Sequence, residues 1–206
     1  MKKRITNVLI ASMFLVLAVF AYWLEAARPT SVEHMHALKE LKGVADYVNS
    51  ASLLLSKLEG RVTPGMTVNY DLILEGTAEE SGLYDQQATL TRWYESGMTA
   101  ADGREYSQGF AERVRNSKLS RNEQDDVLAA SHLVLSANNA LIRLVEALNV
   151  QNWEEADNQL KLYNGTVRVV NWRLGLSTTI TPLPDNIVEK LRTSAQPIEI
   201  KMEVEG

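Results

Sequence analysis

An uncharged run of 17 residues, Val8 to Leu24, follows a basic leader and withdraws the first two dozen residues from any water-soluble core. The leader carries Lys2, Lys3 and Arg4 and no acidic residue. As a helix rising about 1.5 Å per residue the run is ~25 Å long, the lower limit for crossing a hydrocarbon layer of about 30 Å. Two expectations compete. Val19-Phe20-Ala21 offers small residues for cleavage after Ala21, as in a signal peptide. The apolar run continues past that site, and Tyr22 and Trp23 then stand where an aromatic belt meets the headgroups, which favours a retained transmembrane signal-anchor over 8–24. Both give one topology: residues 1–7 form a cytoplasmic basic leader and 30–206 an exported domain. The expected location is a bacterial inner membrane, single-pass, with the main domain periplasmic, or free in the periplasm if the leader is cleaved.

Charge narrows the partners. The net charge is −5 over 206 residues. Setting aside the three positive charges of the leader leaves −8 for the rest, a balance that repels phosphate backbones and argues against nucleic acid. The chain has no cysteine, so disulfides, thiolate metal sites and a lipidated Cys are excluded. That composition suits an oxidising compartment.

Helix starts are the clearest signal in the exported part. A Ser, Thr, Asp or Asn followed three residues later by Glu forms a reciprocal cap, in which the first side chain accepts from the N3 amide and the Glu accepts from the cap amide. The pattern occurs at Thr30–Glu33, Thr77–Glu80, Asp102–Glu105, Ser120–Glu123 and Asn152–Glu155, predicting five helices. The most regular runs from about Trp153 to Leu174, where Trp153, Ala156, Leu160, Tyr163, Val167, Val170 and Leu174 make one stripe. A longer one, about Arg121 to Leu148, carries Val127, Val134, Leu141, Val145 and Leu148. Only four residues separate the two, so they form an antiparallel hairpin. A helix over about 31–58 places Leu38, Leu41, Ala45, Val48 and Leu55 on one side. Shorter, less regular helices are expected at about 78–96 and 103–118.

Two stretches alternate with period two, the signature of a half-buried strand. Met66, Val68, Tyr70, Leu72 and Leu74 make one; Ile198, Ile200, Met202 and Val204 make the other. An isolated strand leaves its backbone unpaired, so 66–74 is expected to pair with 198–204, with Thr178 to Thr181 as a further candidate, or the terminal strand adds to a partner's sheet. The expected fold is mainly α: an N-terminal membrane-spanning or signal helix, then an antiparallel helical bundle with a minor two-stranded β element (66–74 with 198–204).

No catalytic, cofactor or metal motif stands out. Glu33-x-x-His36 resembles half of the ligand set of ferritin-like di-iron bundles, but His132, the remaining histidine outside that segment, has Ala129 three residues before it, and the second half is missing. His34 and His36 are expected to be solvated near the membrane. His132 is read as a structural histidine. Asn152-Trp153-Glu154-Glu155-Ala156 with Leu160 resembles the opening helix of a tetratricopeptide repeat over about ten residues, without recurrence one repeat length away. The carboxylate pairs Glu79-Glu80, Asp125-Asp126 and Glu154-Glu155 suit first helical turns. The sequon Asn164-Gly165-Thr166 falls mid-helix.

Ser131 and Asn138 are polar residues seven apart on the apolar seam of the long helix. The expectation is a hydrogen bond that fixes the register of the bundle, with a small-ligand contact as the functional alternative. The chain is thus expected to be a non-enzymatic, membrane-anchored helical subunit or adaptor of a cell-envelope assembly, contacting lipid through its N-terminal helix and one or more protein partners. The alternative is a periplasmic ligand-sensing module that signals through a partner. It resembles chemoreceptor and sensor-kinase input domains in architecture alone, since no second membrane helix follows.

Overall fold

A computed structural model describes residues 31–59, 61, 63, 68–78, 80–97, 105–174 and 180–195. The leader, the 8–24 run with Tyr22 and Trp23, and the 198–204 segment lie outside the described residues. Within them the chain is a helical bundle of seven helices: α1 (Val32–Glu59), α2 (Asp71–Glu75), α3 (Leu83–Glu95), α4 (Phe110–Arg115), α5 (Arg121–Asn149), α6 (Trp153–Arg173) and α7 (Ile187–Ala195).

The hairpin of α5 and α6 is the most extensive packing in the molecule. Both helices start where the caps place them. Ser120 and Glu123 form the complete reciprocal cap of α5, with the Glu123 carboxylate accepting from the Ser120 amide at 2.9 Å. Asn152 Oδ1 accepts from the Glu155 amide at 3.2 Å. The expected stripes meet in the core: Val127, Val134, Leu141, Val145 and Leu148 face Ala156, Leu160, Tyr163, Val167 and Val170, all buried, while Trp153 is only partly covered. Against this hairpin α1 lays Leu41, Ala45, Val48 and Leu55. By length and composition α5 is apolar enough to cross a membrane, yet 56% of its most apolar window is buried inside the bundle. It is the central core helix.

The other cap patterns resolve differently. Ser31, one residue after Thr30, takes the cap of α1: its hydroxyl accepts from the His34 amide at 3.1 Å and donates to Glu123 at 3.0 Å. Thr77 and Glu80 do not start a helix. They close a tight turn through Thr77 N to Glu80 O at 2.8 Å and Glu80 N to Thr77 Oγ1 at 3.1 Å, with an antiparallel bridge between Gly76 and Ser81. Gly76 sits at φ +84°, and a Cβ on Gly82 would stand 2.3 Å from the Gly76 nitrogen, so this turn needs both glycines. The helix begins only at Leu83.

The β element is corrected. Over 66–74 the alternation competes with a second pattern: Tyr70, Ile73 and Leu74 are spaced i, i+3, i+4. That pattern prevails. Residues 71–75 form α2, with the Tyr70 carbonyl accepting from the Ile73 and Leu74 amides at 3.0 Å each. Tyr70, Ile73 and Leu74 pack on the core, whereas Leu72 is exposed. No strand occurs among the described residues.

Sequence patterning also missed α7. It follows an extended segment, 180–183, that pairs with side chains instead of another strand. Asn171 brackets Ile180, donating to its carbonyl at 2.8 Å and accepting from its amide at 3.0 Å. Asn164, two helical turns earlier, does the same for Leu183, at 2.9 Å each way. Two asparagines seven apart on α6 thus stand in for a sheet ladder. Asn164 is buried and fully engaged, so the sequon at that position has no accessible amide. Nearby, burial pushes the Tyr163 phenol up to about 12.

Candidate functional site

The two expected site residues do not meet in one site. Ser131 is buried and donates to the Leu128 carbonyl of its own helix at 2.8 Å. Asn138 is buried and donates to Gln87 Oε1 on α3 at 2.7 Å, a cross-helix bond of the kind that fixes register, while its own Oδ1 lacks a hydrogen bond.

A cleft lies elsewhere, between α1, α3 and α4, and neither Ser131 nor Asn138 lines it. It is a cleft of about 1080 Å³. Its floor is aromatic: Trp93 of α3 and Phe110 of α4 stack with centroids 4.4 Å apart and planes 26° from parallel. Leu90 and Val44 add apolar wall, and Tyr47 stands at the rim. One polar group anchors this floor. Glu40 of α1 accepts from the Trp93 indole at 2.9 Å and pairs with the Arg113 guanidinium of α4. Arg113 also donates to the Gln108 carbonyl at 2.7 Å and lies 3.9 Å from the Tyr106 ring centroid. A carboxylate shared by an indole and a guanidinium fixes three helices against one another, and a cation over an aromatic face adds to the hold.

Gly43 gives the wall of the cleft a stretch of bare backbone. It lies mid-helix in α1, where glycine costs about 1 kcal/mol against alanine, and it lines the cleft. A Cβ there would meet nothing within 4 Å. Packing therefore gives no reason for the glycine.

His36 sits on the wall of the same cleft. His34 departs from the expectation of a solvated group: it is largely covered, with Nδ1 3.7 Å from Glu123 and Nε2 4.0 Å from Asp126. Asp126 in turn binds Arg173 at 2.8 Å, so the starts of α1 and α5 and the end of α6 share one charged cluster. There the Ser120 hydroxyl and amide and the Ser31 hydroxyl hold the Glu123 carboxyl down at about 2. His132 is exposed and meets the Tyr94 phenol at 2.8 Å. Among the described residues no three His, Asp or Glu side chains gather to hold a metal.

Trp93, Phe110, Glu40 and Arg113 carry no local motif, and Glu40 and Arg113 are 73 residues apart. The one local sign was Gly43, a glycine inside an otherwise continuous helical pattern. Compared with known proteins, the chain matches no family model, no curated protein and no solved structure.

Proposed function

We propose that this chain is a non-enzymatic binding module, tethered at the outer face of a bacterial inner membrane by its 8–24 run, and that it serves as a subunit or adaptor of a cell-envelope assembly by seating an apolar segment of a partner protein in the α1–α3–α4 cleft. The observation that carries the reading is the cleft itself. Its volume of about 1080 Å³ is just above the range usual for small-molecule sites, about 300–1000 Å³. Its wall is mainly apolar and aromatic, the composition of a groove for an amphipathic helix or extended segment.

Gly43→Leu tests this. The leucine projects into the cleft from a position where a Cβ meets nothing within 4 Å and improves helix propensity, so the variant is expected to melt no lower than the parent. A photo-crosslinking residue at Tyr47 is expected to capture one envelope protein in intact membranes, with capture lost in the Gly43→Leu background. Unchanged capture overturns the cleft as the docking site. A thermal shift with one small metabolite, abolished by Gly43→Leu, replaces the adaptor with the ligand-sensing alternative.

A further inference from the structure

The outward face of α6 carries an apolar stripe that nothing among the described residues covers. Leu162, Val169 and Trp172 are 55%, 43% and 78% exposed. At about 100° per residue they fall within one quadrant of the helix, and Gly165 lies in the middle of it. Gly165 is a second mid-helix glycine whose Cβ would meet nothing within 4 Å. Apolar knobs on either side of a bare backbone form the face against which another helix approaches closely.

Charge along α6 selects the occupant. The acidic residues Glu154, Glu155 and Asp157 all lie in the N-terminal half, and Arg168 in the C-terminal half together with Arg173, which also binds Asp126 of α5 at 2.8 Å, with Lys161 near the middle. A parallel copy would set like against like. An antiparallel copy crossing at Gly165 sets Leu162 near Arg168 and Val169 of the second copy and brings the acidic half of each helix alongside the basic half of the other. It also opposes the two helix dipoles favourably.

We propose that two copies of this chain associate through an isologous, antiparallel α6–α6 contact crossing at Gly165. Such a two-fold axis runs perpendicular to α6, so the two copies of Ser31 lie at the same height along it and both chains can enter one bilayer. The contact is independent of the cleft, which lies among α1, α3 and α4.

The absence of cysteine makes the test clean. In the full-length chain in its own membrane, Gly165→Cys is expected to give a disulfide-linked dimer under mild oxidation, and Ser136→Cys, exposed on α5, is not. Leu162→Cys and Val169→Cys are expected to cross-link to each other when co-expressed more than either does to itself, the signature of antiparallel pairing. Gly165→Leu raises helix propensity while blocking close approach; it is expected to leave melting undiminished and to abolish the dimer in detergent-solubilised protein. A monomer at all concentrations, a dimer that survives Gly165→Leu, or a Gly165→Cys chain that cross-links to a different protein each overturns the proposal.

Discussion

At the scale of single residues, the asparagines divide by what they leave behind when removed. Asn164 satisfies both backbone groups of Leu183, and its own amide also reaches Asp185 at 3.0 Å. Asn164→Ala strands a buried amide and a buried carbonyl, for an expected loss of about 2–4 kcal/mol in urea unfolding. Asn138→Ala loses one bond to Gln87, whose amide is half-buried and can turn to water, so about 1 kcal/mol is expected. Glu123 makes a prediction in pH. Its carboxyl is held down at about 2 in the fold and titrates near about 4.3 when unfolded. Between those values the unfolded chain binds the extra proton, so the contribution is present above the unfolded value and is lost as pH falls toward 2. Glu123→Gln is expected to flatten the stability profile of the parent between about pH 4.5 and 2, read by denaturant midpoints at successive pH values.

At the scale of elements, a cap pattern signals a place where the chain turns and does not guarantee a helix beyond it. Ser120 and Asn152 start α5 and α6 because a long apolar stripe follows each. Thr77 uses the same hydrogen bond to close a turn because Gly76 and Gly82 bring the backbone back on itself. A further such pattern, Asn186-x-x-Glu189, lies at the start of α7, whose Ile187, Val188 and Leu191 make a stripe too short to stand out. The strand expected over 66–74 failed for a related reason: Tyr70 and Leu74 fit both periods, and only the core contacts of Tyr70, Ile73 and Leu74 decide between them. The cleft was illegible because its parts come from three helices and meet only in the fold, through the shared Glu40 carboxylate and the Trp93–Phe110 stack. Arg113→Met tests that dependence. It leaves Glu40 with the Trp93 indole alone and removes the cation over Tyr106, for an expected loss of about 1–3 kcal/mol, and it should loosen α4 first, seen as faster amide exchange at Val114 than at Leu141.

At the scale of the whole molecule, the bundle, the N-terminal run and the proposed pairing constrain one another. Ser31 is fixed to Glu123 at the start of α5, and only the six residues from Glu25 to Thr30 separate it from Leu24, a reach of roughly 20–25 Å. If the 8–24 run stays in the bilayer, a bundle standing upright puts the end with Ser31 close to the headgroups and the far end of α5, 29 residues long, about 40 Å higher. An antiparallel α6 pair forbids that posture, because its two-fold axis must point along the membrane normal and α6 must then lie parallel to the bilayer. Single cysteines replacing Arg121 and Val150, at opposite ends of α5 and both exposed, separate the two arrangements when labelled and quenched from the bilayer by spin-labelled lipid. Paired copies are expected to quench about equally at the two positions, and Gly165→Leu is expected to make them unequal by releasing the pair. A mature chain found by mass to lack residues 1–21 removes the tether and, with it, quenching at either position, while leaving the α6 contact to be judged on its cross-links.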